Sequence, residues 1–287
     1  MIVVTAATGR LGRLTVENLL ARGVSPADIA VVVRSPERAA DLAARGVQVR
    51  EGDYDRPETL APAFAGADRL LFVSASAPDN DLRIGQHTNV VAAAQEAGVG
   101  QVVYTSIVEA DTNPVALAVV HNDTERRIRA TGLPYTFLRN SWYFENYTAG
   151  VPGAVERGGI VGTTADGRIA AASIADFAEA AAVVLTTDGH AGQAYELTGD
   201  TSWTLADLAA EVTRQSGKQV AHTDLPAERL AEVLTGAGLP AGLVALLVDA
   251  ETHTRTGALG TVTDHLRTLI GRPTTTLPDA VAEALKN

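Results

Sequence analysis

The residues with the clearest chemical capacity stand near the start of the chain. Thr5-Ala6-Ala7-Thr8-Gly9-Arg10-Leu11-Gly12 follows an apolar run directly and precedes an amphipathic one directly. Glycine at 9 lets backbone approach a pyrophosphate, and glycine at 12 lets the next helix pack close to the strand. The N-terminus of that helix supplies unpaired N–H donors and a dipole that favours phosphate charge. The strand-loop-helix setting makes this a dinucleotide fingerprint rather than a bare tight turn. One position departs from it: Ala6 stands where the fingerprint has its first glycine. Ala6 predicts either a backbone with φ below zero or local strain.

The end of the second strand decides which dinucleotide is expected. An NAD-specific fold places Asp or Glu there to accept from the ribose 2′-hydroxyl. This chain reads Val31-Val32-Val33-Arg34-Ser35-Pro36-Glu37-Arg38. Arg34 offers a guanidinium to a 2′-phosphate, with Arg38 one turn later to assist, so NADPH is expected. Asp53-Tyr54, after the third strand, are placed for the adenine side. Ser74-Ala75-Ser76 and Tyr104-Thr105-Ser106, after the fourth and fifth, are placed for the nicotinamide ribose. Any one of these alone reads equally as a helix cap; at successive strand ends they point together to a bound cofactor.

Elimination narrows the chemistry. A short-chain dehydrogenase often protonates its substrate with a Tyr-x-x-x-Lys pair. Four residues on from Tyr54, Tyr104, Tyr135, Tyr143, Tyr147 and Tyr195 stand Glu58, Val108, Arg139, Tyr147, Val151 and Gly199, so that pair is absent. The only lysines are Lys218 and Lys286, and there is no cysteine. No Gly-x-Ser-x-Gly elbow occurs, and the six histidines show no helix-spaced pair of metal ligands, so no metal is expected. Any hydride acceptor must therefore need little acid help, or use an acid of another kind. His121, with Glu125 one turn later, is the candidate acid; the competing reading is a packing histidine in a mixed-charge helix. Arg139 and Asn140 close the sixth strand and are expected to orient the nicotinamide end or the acceptor. Arg168, in the turn Asp166-Gly167-Arg168, is expected near the cofactor, in a turn that closes over the cleft.

These side chains need a frame. Apolar runs bounded by turn residues predict strands near 2–5, 28–33, 47–50, 69–73, 101–105 and 134–139. Amphipathic stretches between them predict helices near 10–22, 36–45, 57–65, 82–98 and 117–131, ended by Gly23, Gly46, Gly66, Gly98 and Gly132. Five β-α steps in series imply a parallel sheet, covered by helices on both faces because its strands do not alternate. The fold class is α/β: a Rossmann-type, doubly wound parallel sheet over residues 1–140, and a smaller α/β lobe over 141–287. Some segments of the second half are expected to return to the sheet. The glycines between 150 and 167 suggest a loop-rich stretch. A helix near 174–187, a strand at 193–197 and a helix at 204–216 follow, with helical pieces to the end.

Composition bounds the partners. The chain has 287 residues, 46% of them apolar, and a formal net charge of -11. That charge argues against nucleic acid and anionic lipid, which need clustered cations. No apolar run approaches a membrane span, and no signal peptide precedes the first strand, so the cytoplasm is the expected compartment. Oligomeric state stays open between monomer and homodimer.

Taken together, Thr5–Gly12, Arg34, Gly52-Asp53-Tyr54, the run from Gln86 to Ala94, Tyr104-Thr105-Ser106 and the run from Tyr135 to Asn140 resemble the NmrA-like atypical short-chain dehydrogenases. Within that family the chain is most similar to the bacterial type 2 NAD(P)H:quinone oxidoreductases, then to the triphenylmethane reductases. The block from Asn140 to Tyr147, Trp203-Thr204-Leu205 and Gln215–Gln219 carry the resemblance to the quinone reductases. Histidine at 121 does so too, since many atypical relatives have lysine there. The resemblance covers nearly the whole chain. It implies an NADPH cleft between sheet domain and lobe, and two-electron reduction of quinones without flavin. A quinone is already electrophilic, so its reduction needs orientation more than acid catalysis, and the missing Tyr-Lys pair is expected. Trp142, Tyr143, Phe144 and Tyr147 would give a quinone ring flat apolar walls. Aromatics are only 5% of the chain, which makes this cluster notable. The alternatives are a reductase of triphenylmethane-type dyes, favoured by the negative charge, and a non-catalytic NADP(H) sensor that regulates a protein partner.

Overall fold

The computed structural model describes residues 1–77 and 79–286 and falls into two compact units. The first comprises Met1–Ala110, Val119–Asn140 and Ala175–Glu196, and the second Asp111–Ala118, Ser141–Ile174 and Leu197–Asn287. In chain order the regular elements are β1 (Ile2–Thr5), α1 (Arg10–Ala21), β2 (Ile29–Val33), α2 (Ala40–Ala44), β3 (Gln48–Glu51), α3 (Leu60–Phe64), β4 (Arg69–Phe72), α4 (Asn80–Glu96), β5 (Val102–Ile107), α5 (Ala118–Ala130) and β6 (Tyr135–Asn140). Then come α6 (Glu145–Thr148), α7 (Val151–Arg157), β7 (Gly159–Gly162), α8 (Ile174–Thr186), β8 (Gln193–Leu197), α9 (Leu205–Ser216), β9 (Ala221–Asp224), α10 (Ala227–Gly236), α11 (Ala241–Thr254), α12 (His265–Ile270) and α13 (Leu277–Ala284).

The first unit is a seven-stranded sheet in the order β3-β2-β1-β4-β5-β6-β8. Every pairing from β3 through β6 is parallel. β2 and β5 are buried along their whole lengths, as strands covered on both faces must be. Each crossover helix must stop abruptly to return the chain to the sheet. Gly23, Gly46, Gly66, Gly98 and Gly132 do this with φ of 85, 90, 74, 65 and 74°, a region that disfavours any residue with a Cβ. One core cluster gathers Val3, Phe64, Leu70, Phe72, Tyr104 and Phe137 beneath these crossovers. Burying each large apolar side chain contributes about 1.5–3 kcal/mol.

The predicted helices near 36–45 and 57–65 are each split, with 3-10 turns at Pro36–Ala39 and Pro57–Thr59 leading into α2 and α3. Proline at the first position of each segment starts a turn cheaply, but too few residues follow to sustain a long helix.

The second unit corrects the loop expected over 150–167. Pro152 near its start and Gly158 in a left-handed cap, φ 74°, bound α7. β7 then pairs in parallel with β9, Gly159 against Ala221 through Gly162 against Asp224. Its partner strand lies beyond α9 in sequence, so no local pattern announces it. α9 opens with a reciprocal capping box between Thr204 and Asp207.

Candidate functional site

The loop after β1 bends at Ala6, whose φ of 51° realises the strain alternative, not a backbone with φ below zero. A non-glycine residue held there costs about 1–2 kcal/mol. The bend turns the Ala6 carbonyl inward, where the Gly9 N–H donates to it at 2.9 Å. A Cβ on Gly12 would stand 2.7 Å from that carbonyl oxygen, and one on Gly9 3.3 Å. Glycine at 12 is therefore imposed by the close approach of α1 to the turn. The helix begins at Gly9 with no side-chain cap and no acidic residue in its first turn. Its leading N–H groups have no carboxylate competing for them, so this cradle fits a dinucleotide's phosphates. Ala7 and Leu11 are buried and Thr8 half-buried, while Gly9 and Arg10 are exposed.

Neighbouring strand ends separate into exposed and inward-facing groups. Arg34 and Arg38 follow β2, whose Val32 lies beside Thr5 of β1. Both are exposed, and neither has an ion pair among the described residues. By contrast, the Thr5 hydroxyl is buried and stitches strands: it donates to the Leu71 carbonyl at 3.1 Å and accepts from the Val73 N–H at 2.9 Å. Tyr54 donates its hydroxyl hydrogen within this knot, 2.6 Å from Thr5 Oγ1 and 2.9 Å from the Val73 carbonyl. Asp53 caps its own turn by accepting the Asp55 N–H. Thr105 accepts the Ser74 N–H at 2.9 Å, and Ser76 is exposed.

Beneath the Ser74–Ser76 loop lies a buried polar cluster that sequence reasoning assembled only in part. His87, fully buried on α4, accepts the Ala75 N–H at its Nε2, 2.9 Å. Its Nδ1 must then carry the hydrogen, which it donates to Thr124 Oγ1 at 2.8 Å. Thr124 passes its own hydrogen to the Val120 carbonyl at 2.7 Å. Burial, reinforced by the Arg83 charge, pushes His87 down to about 3, so the ring is neutral. Tyr104, completely buried, shares a hydrogen bond with His121 Nδ1 at 2.7 Å, and burial raises its own pKa.

His121 is 5% exposed, and burial above all, with the neighbouring His87 site and the Arg83 charge, holds it well below the ordinary histidine range. Burial thus favours a neutral His121 ring, which bears on the competing reading of a packing histidine more than on an acid titrating near neutrality. Arg139 is held by carboxylates. Its Nε and Nη2 donate to the two oxygens of Glu125 at 2.8 and 2.7 Å, and its Nη1 donates to Glu196 at 2.9 Å. Ser106 donates to Glu125 at 2.7 Å. Arg139 and Ser106 therefore belong to a buried charge network that fixes the end of β6. Asn140 next to them is buried, and its carbonyl accepts the Val108 N–H at 3.0 Å.

The aromatic block divides within the second unit. Trp142 and Tyr147 line a cavity of about 560 Å³, within the ordinary range for small-molecule sites. Phe144 does not line it; its ring stacks on Trp203 with centroids 5.6 Å apart and 8° between planes. Tyr143 bridges to Ala172 as an isolated β pair, and Arg168 is tied to Ser202 at 2.8 Å. Phe144, Tyr143 and Arg168 therefore build the lobe, and none of them lines this cavity. Tyr147 and Glu251 stand among the cavity's polar residues, with Asn146 and Arg157, and the sequence did not signal a polar role for either. Tyr147 carries a buried hydroxyl with no partner among the described residues. Glu251 on α11 lines the wall, where burial pushes its carboxyl up to about 7.

Comparison with known proteins agrees with this geometry. Residues 6–183 match the family described as NAD(P)H-binding. Quinone oxidoreductase 2 of Escherichia coli is 45% identical over 98% of this chain and 98% of its own. The crystal structure of that NADPH-dependent enzyme with NADPH superposes with a TM-score of 0.95 over all of both chains, at 44% identity. The Citrobacter triphenylmethane reductase complexed with NADP(H) gives a TM-score of 0.96 over 99% of this chain and 100% of its own, at 39% identity. Among the described residues, no helix is long and apolar enough to cross a membrane. A sheet that presents an uncapped phosphate cradle, in a chain similar along its length to these reductases, belongs to the NAD(P)H-binding, NmrA-like atypical short-chain family.

Proposed function

We propose that the protein is an NADPH-dependent reductase that passes a hydride to a quinone, without flavin or metal. The observation that carries this reading is the phosphate cradle with two unpaired arginines at the neighbouring strand end. Gly9, Gly12 and the first turn of α1 would hold the pyrophosphate, and Arg34 and Arg38 the 2′-phosphate that marks NADPH. NADPH when bound supplies the hydride. The protein's part is orientation and dryness. His87 fixes the Ala75 N–H, and the Glu125–Arg139–Glu196 network locks the end of β6, so the strand-end loops keep one conformation. Trp142 and Tyr147 offer flat walls to an aromatic acceptor. The 45% identity to quinone oxidoreductase 2 supports the quinone as acceptor, and the likeness to triphenylmethane reductase makes such dyes the second substrate class to examine. The cytoplasm is our reading of the compartment.

The test is loss of NADPH absorbance by the purified protein with a simple benzoquinone, run beside NADH. Quinone-dependent turnover favouring NADPH is expected. Arg34→Asp should weaken NADPH about tenfold or more and spare NADH. Tight NADPH binding without turnover on any quinone or dye would replace the enzyme reading with that of a sensor.

A further inference from the structure

The cavity in the second unit has an unusual wall. Most of its lining is aliphatic, with Leu208, Leu230, Val233 and Leu247 among the residues that face it. A glutamate in such a wall is expensive unless something uses it. Among the described residues Glu251 is not paired with a cation. Arg157 lines the same cavity, yet it forms no ion pair with Glu251. Arg255, four residues on, pairs with Asp224 at 2.7 Å. The Glu251 Oε2 accepts only a backbone hydrogen bond, from the Thr163 N–H at 2.8 Å.

The fold makes room for this carboxyl. A Cβ on Gly162 of β7 would stand 2.9 Å from Glu251 Oε2 and 2.2 Å from Leu205 Cδ1. A side chain at 162 would displace the carboxyl. Tyr147 adds a further polar group to the cavity, its hydroxyl buried and without a partner among the described residues. The charged and titratable groups around Glu251 are therefore Tyr147 from α6, Arg157 from α7, and Asp224 at the end of β9 with its partner Arg255, which also donates to the Thr163 carbonyl at 3.1 Å. Asp224 adds like charge to the effect of burial, which favours the protonated carboxyl.

We propose that Glu251, with Tyr147, forms the polar end of the acceptor pocket and selects the acceptor by charge. With its proton on, Glu251 donates a hydrogen bond to the carbonyl of a neutral quinone. With its proton off, it attracts a cationic aromatic ring such as a triphenylmethane dye. The same cavity thus serves two acceptor classes through the protonation of one specificity-determining residue. This rests on the reading that the acceptor occupies this cavity.

The experiment measures equilibrium binding without turnover, through quenching of tryptophan fluorescence in protein saturated with NADP⁺. The probes are menadione, neutral, and crystal violet, cationic, across the pH range that spans the Glu251 titration. Menadione should weaken as pH rises through about 7, and crystal violet should tighten, each by about five- to tenfold. Glu251→Gln should keep menadione binding and flatten both profiles. A second variant, Val161→Trp, adds bulk at an exposed position of the cavity wall. Lost binding of both probes in Val161→Trp, with flat profiles in Glu251→Gln, supports the proposal. Lost binding in Val161→Trp with unchanged profiles in Glu251→Gln overturns the role of Glu251 alone. Unchanged binding of both probes in Val161→Trp, with NADP⁺ still bound, overturns the cavity as the acceptor site and the proposal with it.

Discussion

Two regions of this molecule hold a buried tyrosine beside titratable groups, and they differ in whether the polar atoms are satisfied. In the sheet unit, the Tyr104 hydroxyl is hydrogen-bonded to His121, His87 is bonded at both nitrogens, and the guanidinium of Arg139 is shared between Glu125 and Glu196. In the second unit, the Tyr147 hydroxyl has no partner among the described residues, and Glu251 faces a cavity with one backbone donor. A closed network rigidifies its surroundings, whereas an open one keeps polar capacity for a ligand. Residue type alone does not separate scaffold from binding wall; the fate of each donor and acceptor does.

The largest expected effect comes from opening the closed region. Arg139→Leu takes their shared cation from Glu196 and from the fully buried Glu125, which keeps the longer 3.2 Å contact to the half-exposed Arg129. Removing one partner of a buried pair costs about 3–5 kcal/mol. Denaturant unfolding should show that loss, and a change below about 1 kcal/mol would mean the network is not the lock described. A similar charge removal in the open region should act in the other direction. The Glu251 carboxyl is raised to about 7, so its favourable contribution is present below pH 4.5 and is lost as pH climbs through 7. Glu251→Gln should therefore be more stable than the parent by roughly 1–3 kcal/mol above pH 7, with the difference vanishing in acid. His87, pushed down to about 3, has the opposite slope: its contribution is lost as pH falls below about 6.5. Melting curves across pH would expose both slopes, and a Glu251→Gln curve parallel to the parent would remove the titration from the cavity.

Sequence reasoning reached the closed sheet more readily than the open lobe, for physical reasons. The phosphate loop, the strand runs and the glycine stops are local signals, set by sterics over a few residues. The assignment of Arg34 and Arg38 to exposed strand-end positions rests on the same local logic. His121 and Arg139 were found as residues, yet their surroundings were not: burial and partners come from α4, β5 and β8, which no spacing rule brings together. The aromatic block from Trp142 to Tyr147 was visible as composition. Its division into cavity wall and lobe packing depends on Trp203, far along the chain, which claims Phe144. Glu251 carried no local mark at all, because its neighbours arrive from β7, β9 and α6.

The smallest expected effect gives the most direct comparison of the two regions. Tyr104→Phe and Tyr147→Phe each delete one hydroxyl and keep the ring. In the closed cluster the deletion leaves the buried His121 Nδ1 without its Tyr104 partner, which costs about 1–2 kcal/mol. In the open cavity the deleted hydroxyl satisfies nothing, and its own burial was unfavourable, so stability should change by less than about 0.5 kcal/mol or rise slightly. Binding should reverse the ranking. Tyr147→Phe should weaken menadione a fewfold, as the loss of one ligand hydrogen bond implies, while Tyr104→Phe leaves it unchanged. Equal stability losses in the two variants would mean that the Tyr147 hydroxyl has a partner after all, and the distinction between a closed scaffold and an open pocket would fall.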